Sequence, residues 1–300
     1  MRRGPARPWA AGRLLALAAM LLGLVPLAGA AGAAPALWVV KSPSASVYLF
    51  GTMHVLEPQA RWRTPRLDAA FARAKTVWFE TDVSRAADPA VGRDLILRYG
   101  LDPDRPLSSR LDPGRLAALK ALLGRERTPF AVLDRMRPWA AALMLMAAPM
   151  VKAGFDPAAG ADVRLTADAR AQGKRVRLFE TLGQQMRFLA DLPMAAQVQL
   201  LNETVRDDAK AGSQARAMQS AWLRGDLSSL GPLLIGDLKQ TPGLYGVLIR
   251  RRNLAWSRTI ARQLAGRGAQ FVAVGALHMV GPDGLPALLR AKGFSVERVE

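Results

Sequence analysis

Two stretches of this chain end alike. Val47-Tyr48-Leu49-Phe50 runs into Gly51-Thr52-Met53-His54, and Phe271-Val272-Ala273-Val274 runs into Gly275-Ala276-Leu277-His278. Each is a short apolar run followed by Gly-x-x-His, and these are the only 2 histidines in 300 residues. A short apolar run closed by glycine reads as a buried strand. The glycine supplies either backbone angles closed to other residues or room for a close approach. A fold that uses both imidazoles together must bring the two strands out at one edge of a sheet.

The rest of the chain supplies such a sheet. Runs at 37–40 and 46–50, split by Ser42-Pro43-Ser44, read as a hairpin. Thr64-Pro65 starts a helix that ends near Ala74, and 76–79 is a strand delivering Glu80-Thr81-Asp82. Asp88-Pro89, Asp112-Pro113 and Thr128-Pro129 are further helix starts. The Ala, Leu and Met stripe over 130–150 predicts helix–helix core. A helix over 161–171 closes at Gly173, and the strand 174–179 delivers Glu180-Thr181. Phe-Glu-Thr therefore occurs at two strand ends, as Gly-x-x-His does. From 183 to 267 the pattern is helical, with breaks expected at Pro193, Gly212, Gly225, Pro232 and Pro242. A helix over 285–292 and a strand over 295–299 finish the chain. Helices between strands predict an α/β fold: a duplicated core whose central sheet is mixed, partly parallel and flanked by helices. The 88–173 and 193–266 regions are helical excursions from a single domain spanning 35–300.

Residues 1–34 read differently. Arg2, Arg3, Arg7 and Arg13 precede or open an apolar run over 14–27, and a small-residue stretch follows. That order is a secretory signal peptide. The expected mature protein is periplasmic or secreted, with no membrane span after signal removal. Without cysteine there is no disulfide framework and no thiolate metal site. The formal charge of +18 favours anionic surfaces, and an anionic envelope component is an expected partner class. No nucleic-acid motif is present, and export argues against nucleic acid as a partner.

Ligands in α/β sheets gather beyond the carboxyl ends of the strands, where this reading places His54, Glu80, Glu180 and His278. Two imidazoles with one or two carboxylates suit one divalent ion; zinc, manganese and cobalt all accept such N/O donors. A water on that ion deprotonates near neutral pH, and a second carboxylate can take the proton. Against this stands the plain alternative of hydrogen-bonded structural histidines and of glutamates serving helix N-termini. Asp82 reads as a cap or loop residue. Gly-x-Ser-x-Gly, the phosphate-loop motif and His-Glu-x-x-His are all absent.

In this order, Gly51-Thr52-Met53-His54, Phe79-Glu80-Thr81-Asp82, Leu178-Phe179-Glu180-Thr181 with Gln184 or Gln185, Arg252-Asn253, and Gly275-Ala276-Leu277-His278 with Gly281 resemble the TraB/PrgY/GumN family. The resemblance covers about 37–299 and implies kinship with the Tiki metalloproteases and an erythromycin esterase/ChaN-like fold group. It implies His54 and His278 as metal ligands and Glu80 as ligand or acid/base. It also implies Arg252 and Asn253 as groups that orient substrate or a ligand. Two positions depart from the family pattern. Leu277 stands where glycine is common, and Arg251 stands where an acid often precedes Arg-Asn.

The expected function is an exported, divalent-metal-dependent hydrolase acting on peptide or protein substrates, with Glu80 and Glu180 as its catalytic carboxylates. Two other classes fit the same residues: a non-catalytic binder of metal, haem or peptide, and a regulatory protein docking on an anionic envelope component.

Overall fold

The computed structural model describes residues 34–86 and 88–300. Among them, six strands form one sheet: β1 (Leu37–Lys41), β2 (Ala45–Thr52), β3 (Thr76–Phe79), β4 (Arg175–Leu178), β5 (Gly268–Gly275) and β6 (Ser295–Arg298). Their spatial order is β4-β3-β5-β2-β1-β6. The first four in that order are mutually parallel, and β1 runs antiparallel to both β2 and β6. The mixed, partly parallel sheet expected from the sequence is therefore present. The two Gly-x-x-His strands, β2 and β5, are direct neighbours with Thr52 opposite Gly275. The two Phe-Glu-Thr strands, β3 and β4, are also neighbours.

The strands alternate between two apolar layers, as period-2 side chains must. On β2, Tyr48 and Phe50 face a core containing Trp62, Phe71, Trp222 and Phe271, whereas Val47 and Leu49 face Trp256, Ile260 and Leu289. Each large side chain so buried contributes about 1.5–3 kcal/mol. Helices α1 (Pro65–Arg73) and α7 (Ala161–Ala171) cover the first face. Helices α11 (Arg251–Leu264) and α12 (Leu285–Ala291) cover the second.

Between these come α2 (Val83–Ala86), α3 (Pro89–Leu95), α4 (Pro113–Arg125), α5 (Phe130–Asp134), α6 (Pro138–Lys152), α8 (Leu182–Ala190), α9 (Met194–Leu223) and α10 (Leu227–Gln240). Several starts follow their cap-plus-proline signals: the Thr64, Asp88 and Asp112 side chains accept from first-turn backbone N–H groups. The excursions carry their own core, in which Leu119, Leu122, Ala141, Leu145 and Leu201 pack together.

Three expectations need correction. Helix α9 runs unbroken through Gly212, because a Cβ there would lie 2.8 Å from Ala153 Cβ. That glycine serves close approach of α6 rather than a break. Pro232 lies inside α10, where burial of neighbouring Leu230 in the sheet-side core outweighs one lost N–H. The Ala, Leu and Met stripe is core on one side only: Trp139 and Ala141 are buried, whereas Met144 and Met146 are 44% and 46% exposed. No helix among the described residues is long and apolar enough to cross a membrane. The expected signal peptide lies outside the described residues apart from Ala34.

Candidate functional site

Sheet order places four side chains along one edge in the sequence Glu180, Glu80, His278, His54. The last three meet around Gly275, the last residue of β5. Its backbone N–H donates to Glu80 Oε1 at 2.6 Å. A Cβ on Gly275 would lie 3.1 Å from Glu80 Oε1, 3.3 Å from His54 Nε2 and 3.8 Å from His278 Cδ2. The glycine thus serves space and not backbone angle: its φ of −48° is ordinary. Gly51 also works by close approach, since a Cβ there would sit 2.9 Å from Ala276 Cα in the other motif.

His278 lies in a 3-10 turn (Ala276–Met279) and is buried. Its environment sets its tautomer. Asn253 Nδ2 donates to the carbonyls of Asp283 (2.7 Å) and His278 (3.3 Å), so Asn253 Oδ1 must face the imidazole. His278 Nδ1–H donates to that oxygen at 2.6 Å. The lone pair is then on Nε2, which lies 3.2 Å from Arg252 Nη1 and 3.6 Å from Glu80 Oε1. The ring packs on Trp256 with centroids 4.4 Å apart. Burial, together with the Arg252 and His54 charges, outweighs Glu80 and lowers the His278 pKa to about 3.

His54 is held by one contact. Its Nδ1–H donates to Asp162 Oδ2 at 2.8 Å, and its side chain is 61% exposed. Crowding of protein around the ring disfavours its charge, but the Asp162 carboxylate, then Glu80, raise its pKa to about 9.

Arg252, the second residue of α11, is the hub. Its Nε donates to Glu180 Oε1 (2.9 Å), its Nη2 to Glu80 Oε2 (2.6 Å) and Glu180 Oε2 (2.9 Å), and its Nη1 to Leu248 O (2.9 Å). The guanidinium also stacks over Trp256, 4.7 Å from the ring centroid. Burial opposes the Glu80 charge, but His278, Arg252, His54 and the Gly275 N–H hold its pKa well below the usual carboxylate range. Because His278 is neutral at pH 7, Arg252 is the buried cation that sustains it. Glu180 is enclosed further: Trp256 Nε1 donates to it at 3.1 Å and Gln185 Nε2 at 3.3 Å, and Gln185 also reaches Glu80 at 3.2 Å.

The structure therefore gathers His54, Glu80 and His278, and joins Glu180, Arg252 and Asn253 to them. Asp82 stays apart, bonded to Ser84 and Arg170. Of the two glutamines, Gln184 forms a capping box with Thr181, and Gln185 enters the site. Leu277 is half-buried, and the turn forms around it; Arg251 is exposed. Asp162, Trp256 and Gly160 were not foreseen. An acid in the first turn of α7 is the one sequence trace of Asp162, and nothing links it to a histidine 108 positions away.

Two imidazoles and a carboxylate are donor types that a divalent cation takes. Each imidazole has Nδ1 engaged by an acceptor and Nε2 toward Glu80, the arrangement that orients metal-binding histidines. The Cβ-less space over Gly275 lies beside it, and behind His54 the Asp162 Oδ1 is buried without a partner. Against the fit, Arg252 Nη1 stands on His278 Nε2. Among the described residues no group of three or more His, Asp or Glu is already gathered closely enough to hold a metal.

A model of the TraB/PrgY/gumN family matches residues 36–298. The uncharacterized protein YbaP of Escherichia coli (strain K12) is 27% identical over 256 residues, which is 85% of this chain and 92% of that protein. An uncharacterized protein of Treponema pallidum (strain Nichols) is 22% identical over 270 residues, 85% of this chain and 80% of that one. No solved structure matches the chain significantly.

Proposed function

The chain belongs to the TraB/PrgY/gumN family, and from its site we propose an exported, divalent-metal-dependent hydrolase acting on peptide bonds. One observation carries this reading. His54 Nε2 and Glu80 Oε1 crowd the space over Gly275, with His278 Nε2 beside Glu80 and both Nδ1 atoms engaged from behind. His54, His278 and Glu80 would hold the ion, with manganese, cobalt or zinc all compatible with these donors. A divalent ion held there would supply Lewis acidity, which acidifies a water and polarises a carbonyl.

The chain's own residues divide the remaining work. His54 is the exposed member, so an incoming substrate meets it first. Asn253 keeps the proton of His278 on Nδ1. Arg252 brings fixed positive charge to the pocket wall, where it would stabilise negative charge developing on a substrate carbonyl. Glu180 was the candidate proton carrier. Its bonds to Arg252, Trp256 and Gln185 favour another role, that of keeping Arg252 in place. Glu80, between the two histidines, is the other carboxylate within reach, and it acts as acid/base only where it does not itself hold the ion. Arg252 must yield Nη1 from His278 Nε2 for that atom to serve as a ligand. Export to the periplasm or medium rests on the arginine-led apolar leader.

A second reading draws on the same hub. Both Phe-Glu-Thr carboxylates are paired with Arg252, and a binder of metal or peptide without turnover needs no free carboxylate. Metal analysis of the purified mature chain, alongside His54→Ala/His278→Ala, tests the shared site: the wild type retains a stoichiometric divalent ion and the double variant loses it. Unchanged metal content in the double variant rejects the reading. A peptide-cleavage screen with manganese, cobalt and zinc then separates hydrolase from binder.

A further inference from the structure

We propose that Asp162 is the positioning residue for His54, and that the first turn of α7, from Gly160 to Asp162, is built to hold it there. The consequence for metal affinity rests on the function proposed above; the positioning itself does not. Asp162 is 5% exposed, and its Oδ2 lies 2.8 Å from His54 Nδ1. A carboxylate in the first turn of a helix ordinarily serves that helix, by accepting from its free backbone N–H groups or complementing its dipole. Here it makes no cap: the α7 N-terminus has no side-chain cap hydrogen bond, and Asp162 Oδ1 is buried without a partner. Burying a charge with a single imidazole partner is costly unless that pairing serves something else.

The neighbouring backbone shows the same design. Ala161 N–H donates to Met53 O at 2.9 Å, which ties the helix start to the residue before His54. Gly160 allows this approach, because a Cβ there would overlap the His54 carbonyl oxygen and lie 2.9 Å from Asp162 Oδ1. The loop and the carboxylate are thus placed by one turn of helix. Among the described residues, Asp162 is the one hydrogen-bond partner of the His54 ring. His278 differs: it is buried, packed at a tilt against Trp256 and bonded at both nitrogens. Loss of Asp162 should therefore release one histidine and leave the other.

The chain's two histidines make this directly observable by proton–nitrogen NMR of the imidazoles, assigned with His54→Ala and His278→Ala. In the full mature chain, the wild type should show a far-downfield Nδ1–H proton for His54. Asp162→Ala should lose it, while the His278 pattern stays in place. Asp162→Asn, which keeps shape and an acceptor oxygen but not the charge, should move it upfield and partly restore the bond. Cobalt(II) alone, titrated into the same proteins, should bind on the order of 10–100-fold more weakly to Asp162→Ala, with Asp162→Asn between. A His54 Nδ1–H signal unchanged in both variants overturns the proposal; should Asp162→Ala fail to fold, Asp162→Asn decides alone. If the wild type binds no cobalt, the metal reading fails, and the NMR signal still decides the role of Asp162.

Discussion

The two Gly-x-x-His ends look alike as sequence and are opposite as chemistry. His278 is 3% exposed, packed against Trp256 and next to a buried guanidinium, and its pKa falls to about 3. His54 is largely exposed and backed by a carboxylate, and its pKa rises to about 9. The two shifts run in opposite directions: burial favours the neutral ring at His278, and the Asp162 carboxylate favours the charged ring at His54. The strand and the glycine deliver an imidazole to the same edge in both cases. Burial beside the Arg252 guanidinium sets the charge of one ring, and the Asp162 carboxylate from α7 sets that of the other. A strand end thus places a group, and its electrostatic state comes from elements distant in sequence.

The strongest way to break this contrast is to remove the guanidinium. Arg252→Met leaves Glu80 and Glu180 buried without their cation, and unfolding in urea should show a loss of about 3–5 kcal/mol. A loss below about 1 kcal/mol would mean that Arg252 is not the hub of the His278 side.

The motif glycines give the next contrast. Gly51→Ala pushes a Cβ onto the backbone of Ala276 and should destabilise the fold by about 1–3 kcal/mol. Gly275→Ala instead meets Glu80 and His54 side chains at 3.1 and 3.3 Å, which can give way. It should cost less stability and more metal affinity. Equal stability losses, with cobalt affinity unaffected, would show that Gly275 does not shape the site.

The titrations sharpen the comparison. His278 has a depressed folded pKa, so the unfolded chain binds more protons between about 3 and 6.5, and its contribution to stability is lost as pH falls through that window. His54 has a raised folded pKa, so its contribution is complete below 6.5 and is lost as pH rises toward about 9. His278→Asn should flatten the acid limb of a stability–pH profile, and His54→Asn the alkaline limb. Finding both limbs altered by one substitution would show that the two rings titrate as one unit. The smallest effect is expected at Asp82→Ala. It breaks a part-exposed pair with Arg170, should change stability by at most about 1 kcal/mol, and should leave cobalt binding as it was.

Much of the architecture is readable from local pattern. Thr64-Pro65, Asp88-Pro89 and Asp112-Pro113 mark helix starts because cap and proline act within one turn. The strand ends at Glu80, His54 and His278 are readable because apolar runs stop there, and the one at Glu180 because alternating Arg175-Val176-Arg177-Leu178 gives way to a second Phe-Glu-Thr. Gly212 and Pro232 mislead for the converse reason: whether they interrupt a helix depends on what packs against it. Exposed Met144 and Met146 show the same limit, since composition does not say which side of a helix has a neighbour.

The sequence by itself determined which residue types arrive at the sheet edge, and in what chain order: imidazole, carboxylate, carboxylate, then Arg-Asn, then imidazole. Their delivery to that edge is a short-range effect of strand, turn and cap. Tertiary structure alone decided that Arg252 joins two glutamates 100 residues apart in the numbering, and that Asp162 and not Asn253 stands behind His54. Those contacts depend on how α7 and α11 dock on opposite faces of the sheet. Charge states inside a protein follow distance and burial, which neighbours in sequence do not specify.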